Sequence, residues 1–180
     1  MKIAVFCGSR FGARPAYAEA ARQLGTWIAR EGHSLIFGGE ESGLMKLTAD
    51  AAADGGAGIL GVVPNIPFML EHMYPRLTEL KKVPTMFERK RQMLAEADAY
   101  ICLPGGIGTL DEFGDAMTAI QLEQVPAGRK TVLFNTEGYY ELLWEYLRHT
   151  AAEGLTDIAL LDKVLLSSDL QEIGAFLKGQ

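Results

Sequence analysis

Two cysteines in 180 residues, Cys7 and Cys102, exclude a disulfide framework, and no Cys or His pair has the close spacing of a structural zinc site. The three histidines, His33, His72 and His149, are scattered, so neither a metal triad nor a Ser-His-Asp arrangement can be argued. Basic charge is in deficit. Lys and Arg number 17 against 23 Asp and Glu, a net charge of −6 whose field repels polyanions. No nucleic-acid and no anionic-membrane partner is expected. No apolar stretch approaches the roughly 20 residues that cross a bilayer. The opening run Ile3 to Cys7 ends at Gly8-Ser9-Arg10 without the long apolar core or cleavage site of a signal peptide. A cytoplasmic protein with no targeting segment is expected, its two cysteines buried thiols.

Glycine, by contrast, is abundant. Twenty in 180 residues exceeds the usual ~7%, and many stand where apolar runs meet helical segments. The 48% hydrophobic and 22% charged residues are ordinary for a folded globular chain. With no repeat, low-complexity tract or linker, one domain over residues 1–180 is expected.

The apolar runs are short, continuous and β-branched, the pattern of strands covered on both faces. They are Ile3 to Cys7, Ser34 to Phe37, Ile59 to Val63, Ala99 to Leu103 and Thr131 to Phe134, with Lys163 to Leu166 a weaker sixth. Helical period runs through Tyr17 to Arg30, Leu44 to Asp54, Thr85 to Ala97, Leu110 to Gln121, Tyr139 to Ala152 and Asp169 to Lys178. Such alternation predicts an α/β fold: a Rossmann-like, doubly wound parallel sheet with helices on both faces. The stretch Pro64 to Pro84 has four prolines and no period, and predicts an irregular excursion that covers or borders a site.

Ligands of open parallel sheets bind beyond the carboxyl ends of the strands. Three of those ends are glycine-rich here: Gly8-Ser9-Arg10-Phe11-Gly12, Gly38-Gly39-Glu40-Glu41-Ser42-Gly43 and Pro104-Gly105-Gly106-Ile107-Gly108-Thr109. Glycine lets backbone N–H groups approach an anion, and a following helix adds its positive end. Together the loops describe a phosphate or nucleotide cradle, although each alone could serve packing only. The loop after the first strand carries neither the G-x-G-x-x-G of hydride-transfer enzymes nor the G-x-x-x-x-G-K-[ST] of NTPases.

Two charged patterns stand beside the cradle. Asp111 and Glu112 fall in the first turn of the predicted helix from Leu110, where ordinary charge complementarity accounts for Asp111. Glu112 shares a face with the small residues Ala116 and Ala119, so it is a candidate base or cation stabiliser. In the helix Thr85 to Ala97, Arg89 and Lys90 interrupt an apolar stripe of Met86, Met93 and Ala97. Cations on such a stripe require an anion or a polar cavity, or else they reach out to solvent.

Met86-Phe87-Glu88-Arg89-Lys90 followed by Pro104-Gly105-Gly106-Ile107-Gly108-Thr109-Leu110-Asp111-Glu112 resembles the M-x-x-R-K and P-G-G-x-G-T-x-x-E signature of the Lonely Guy family of cytokinin riboside 5′-monophosphate phosphoribohydrolases. Phe6-Cys7-Gly8-Ser9, Gly38-Gly39, Ser42-Gly43-Leu44-Met45 and Asn135 with Gly138-Tyr139-Tyr140 are similar to further family segments. The resemblance implies hydrolysis of the N-glycosidic bond of a nucleoside 5′-monophosphate, from a cytokinin riboside 5′-monophosphate or AMP, to free base and ribose 5-phosphate. It implies Arg89 and Glu112 as catalytic residues. It implies Ser9, Gly39, Met86, Lys90, Gly105, Gly106, Gly108 and Thr109 as the substrate-binding set. It also implies no metal, no cofactor and a homodimer.

The chain departs from the family pattern at Glu40, where a third glycine is usual, at Arg10 and at Lys46. A carboxylate near a phosphate repels it unless it points away or pairs with Arg10. A nucleotide or phosphosugar sensor without turnover is therefore the competing reading. Decarboxylation through pyridoxal phosphate would need a Schiff-base lysine, and Lys46 and Lys90 are the only lysines near the loops.

Overall fold

Buried strands order themselves by pairing, and here they pair in one direction only. The computed structural model describes residues 1–179 and contains a seven-stranded parallel sheet. Its strands are β1 (Lys2–Phe6), β2 (Ser34–Phe37), β3 (Ile59–Pro64), β4 (Glu79–Val83), β5 (Ala99–Cys102), β6 (Thr131–Phe134) and β7 (Val164–Ser167), in the order β4-β3-β2-β1-β5-β6-β7. The chain winds outward from β1 to β4, then returns to place β5 on the other side of β1. The switch point of the doubly wound sheet therefore lies between β1 and β5.

Alternate residues of each strand feed two cores. Ile3, Val5, Leu35, Phe37, Ile101 and Val132 pack against α1 (Pro15–Arg30), α2 (Gly43–Asp54) and α8 (Leu170–Lys178). Ala4, Phe6, Ile36, Tyr100, Cys102 and Leu133 pack against α4 (Met86–Glu96), α5 (Ile107–Gln121) and α6 (Glu141–Ala152). Cys7 and Cys102 are free and buried on opposite faces, and burial pushes both thiols well above their usual pKa. Among the described residues no helix is long and apolar enough to cross a membrane.

The six expected strands are present. The stretch Pro64 to Pro84 is a correction in part, because it holds the short helix α3 (Pro67–Glu71) and the strand β4. The sequence of β4, Glu-Leu-Lys-Lys-Val, does not read as a strand because it lies at the sheet edge, where charge is tolerated and guards the open hydrogen-bonding side. A second short helix, α7 (Ile158–Leu161), precedes β7. Helix α5 starts three residues before the expected Leu110, so Asp111 and Glu112 lie in its second turn and lose most of the dipole benefit expected of them.

Candidate active site

Backbone hydrogen bonds stitch the three glycine-rich loops together at the switch point. The Leu44 N–H donates to the Gly8 carbonyl and the Gly8 N–H to the Pro104 carbonyl, each at 3.1 Å. Gly43, at φ +47°, allows the second loop to sit on the first, for a Cβ there would lie 2.3 Å from the Ser9 carbonyl carbon. Tyr140 and Tyr139 brace the third loop from below, their hydroxyls donating to the carbonyls of Leu103 (2.7 Å) and Gly105 (2.6 Å). No local sequence pattern assigns these tyrosines that task.

A cavity of about 450 Å³ opens over this junction. One wall is the start of α5, where Gly106, Ile107, Gly108 and Thr109 face the space. This helix has no side-chain N-cap, and its first N–H groups have no intrahelical partner. Ser9 and Arg10 border the cavity from the first loop, and Glu40 and Met45 from the second loop and the start of α2. Met69 enters from α3 and Met86 from α4, so the proline-rich excursion does border the cavity.

Arg89 and Glu112 form the floor. Thr85 caps the start of α4, its Oγ1 accepting from the Glu88 N–H at 3.2 Å and donating to the Glu88 carboxylate at 2.9 Å, and Arg89 falls on the inward face. The Arg89 guanidinium donates to Glu112 Oε1 at 2.9 Å, and the two side chains are only 7% and 11% exposed. Gly38 makes room for it, because a Cβ there would stand 1.9 Å from the guanidinium. Arg89 Nε is buried with no protein partner. Burial pushes the Glu112 carboxyl above the usual carboxylate range, against the pull of the neighbouring Arg89 charge.

Lys90 has a different setting. Its ammonium bridges Asp111 Oδ2 at 2.8 Å and Asp115 Oδ2 at 2.7 Å, tying α4 to α5 at the cavity edge. Burial works to lower its pKa, but the two carboxylates outweigh it and the net shift is upward. Gly39 and Gly105, two of the expected substrate contacts, do not border the cavity. Gly39, at φ +75°, sits where a Cβ would lie 2.5 Å from Val63, and Gly105 packs against Thr109 and Gly8. Arg10 and Glu40 form no ion pair with each other among the described residues, although both face the cavity.

The fold and the cavity define the class: a doubly wound α/β protein with an anion-ready helix start and a buried Arg–Glu pair at its switch point. The profile of a family described as "Possible lysine decarboxylase" matches residues 45–175. The chain is 40% identical over 155 residues to the cytokinin riboside 5′-monophosphate phosphoribohydrolase LOG7 of Arabidopsis thaliana, covering 85% of this chain and 70% of that one. It is 36% identical over 170 residues to a cytokinin riboside 5′-monophosphate phosphoribohydrolase of Rhodococcoides fascians, covering 94% and 85%. The molybdenum cofactor binding protein of the phototrophic bacterium Rippkaea orientalis shares the fold at 21% identity, with a TM-score of 0.71 over 99% of this chain and 95% of that one. The chain belongs to the LOG family of cytokinin riboside 5′-monophosphate phosphoribohydrolases.

Proposed function

We propose that the protein hydrolyses the N-glycosidic bond of a nucleoside 5′-monophosphate of the cytokinin riboside type, releasing the free base and ribose 5-phosphate. The observation that carries this reading is the buried Arg89–Glu112 pair beside the open start of α5. In this reading the N–H groups of Gly106, Gly108 and Thr109, with Ser9, hold the 5′-phosphate. As the bond from C1′ to the base breaks, its electron pair leaves with the base and the ribose gains oxocarbenium character. The Glu112 carboxylate stabilises that cation and accepts a proton from the attacking water, and the released base takes up a proton. A buried carboxyl of raised pKa is a better base for this step than an exposed one. Arg89 keeps Glu112 ionised and oriented, and its unused donors meet substrate oxygens. Met86 borders the base.

Lys90, spent on two carboxylates, holds α4 against α5 rather than the phosphate. The decarboxylation that the family description mentions needs a free lysine amine. Lys90 is held by Asp111 and Asp115, and Lys46 by Glu41 and Asp50. No metal or organic cofactor enters the hydrolysis. The proposal includes a homodimer, supported by two exposed apolar side chains, Ile107 in the cavity lining (82% exposed) and Phe87 next to the lining residue Met86 (69% exposed).

The test is chromatographic detection of free base from AMP and N6-isopentenyl-AMP, with Arg89→Ala as the blank, and light scattering for the dimer. Base release by the parent and none by the blank is expected. Nucleotide binding without release from any substrate would replace the hydrolase by a sensor.

A further inference from the structure

Three acidic residues line the cavity, and whereas Glu112 meets Arg89 and Asp111 meets Lys90, Glu40 meets no cation among the described residues; its backbone is fixed on both sides. The Gly39 carbonyl accepts from the Tyr74 N–H at 2.8 Å, the Glu41 N–H donates to the His72 carbonyl at 2.8 Å, and Glu40 itself forms an antiparallel bridge with Met73. Glu40 lines the cavity, and its carboxylate makes no ion pair or hydrogen bond among the described residues. The neighbouring acid Glu41 behaves differently, meeting Lys46 at 3.0 Å on the outside of the loop. A rigidly presented, unspent acceptor facing a ligand space calls for a donor from the ligand.

Strand order says which part of a nucleotide supplies it. Glu40 follows β2 and the open helix start follows β5, with β1 between them. Two strand spacings separate the walls, about 10 Å. A nucleotide whose phosphate lies on the α5 wall, with its glycosidic bond over Arg89 and Glu112, extends its base toward Glu40. Met45 and Met69 line the same cavity and offer apolar contact but no donor.

We propose that Glu40 determines base specificity: its carboxylate accepts the exocyclic N–H of a 6-aminopurine and discriminates against bases that lack this donor. The inference rests on the hydrolase reading above. A carboxylate can accept one N–H whether or not the same nitrogen carries an alkyl tail, so mono-alkylation leaves the contact intact.

The test uses two matched pairs of nucleotides. One pair is AMP against purine riboside 5′-monophosphate, which lacks the amine. The other is N6-isopentenyl-AMP against its 6-isopentenyloxy counterpart, in which oxygen replaces N–H and the tail is kept. The parent should prefer the N–H member of each pair it hydrolyses by roughly 10- to 100-fold in kcat/KM, the loss expected of a hydrogen bond to a charged group. Glu40→Ala should bring the members to within about threefold while still releasing base, and Glu41→Ala should keep the parent ratio. Base release by the parent without preference within the pairs, or a preference that survives Glu40→Ala, overturns the assignment of Glu40 and leaves the hydrolase standing. No release from any of the four nucleotides overturns the hydrolase reading and this inference with it.

Discussion

Arg89 and Lys90 are adjacent on one helix and carry the same charge, yet α5 gives them different surroundings. Arg89 meets one carboxylate, Glu112, and keeps a buried Nε without a partner. Lys90 meets two carboxylates a turn apart, Asp111 and Asp115. Both side chains line the cavity, but the guanidinium spends one of its five donors on Glu112, whereas the ammonium spends two of its three on carboxylates that tie α4 to α5. The facing helix, more than the residue's own position, decides which is which.

Changes at the two pairs should therefore differ in kind. Arg89→Ala is expected to abolish base release, a loss of about a thousandfold or more, because it removes the guanidinium and leaves Glu112 unpaired. Glu112→Gln should lose turnover to a similar extent while calorimetry still detects nucleotide binding. Release at the parent rate by either variant would remove the special standing of that pair.

Gly38→Ala probes the same pair without touching it. The added methyl occupies the place of the Arg89 guanidinium, and a displacement of about 1 Å should cost about a hundredfold in kcat with the circular dichroism spectrum unchanged. Lys90→Met should act mainly on stability. Half-exposed ion pairs contribute up to about 1 kcal/mol, so the melting temperature should fall by about 2–4 °C with turnover within tenfold of the parent. A turnover loss as deep as that of Arg89→Ala would make both cations catalytic and dissolve the contrast.

The smallest effect is a displacement on the pH axis. The proposed hydrolysis uses ionised Glu112, whose pKa burial raises, so kcat/KM should fall on the acid side at a pH above the ordinary carboxylate range. The Lys90 charge holds that pKa down and the Asp111 charge pushes it up. Lys90→Met should accordingly move the acid limb to higher pH and Asp111→Asn to lower pH, as read from a pH–rate profile.

Most of the sheet was legible in the sequence because its central strands are buried on both faces and so are continuously apolar. β4 was not, since an edge strand with Lys81 and Lys82 has no such signature. The inward stripe of α4 placed Arg89 and Lys90 at the cavity, where both stand, but helical period says where a side chain leaves the backbone and not which carboxylates stand opposite. Gly38 looked like one more anion-binding glycine. Its part in seating Arg89 depends on a contact across 51 positions of chain, which no local pattern carries.

The pairing of β1 with β5 also has a consequence for how the chain acquires its cavity. Ile3 lies opposite Ala99, so the junction between the first and third loops requires residues 96 positions apart. Contacts of such sequence separation are slow to form, because loop closure precedes any gain from them. During synthesis the contact between the first and third loops can form only after the segment through Thr109 has emerged. Once closure has occurred, a bound nucleotide favours only the closed chain. Ligand protection against a protease should then extend over both halves of the sheet together.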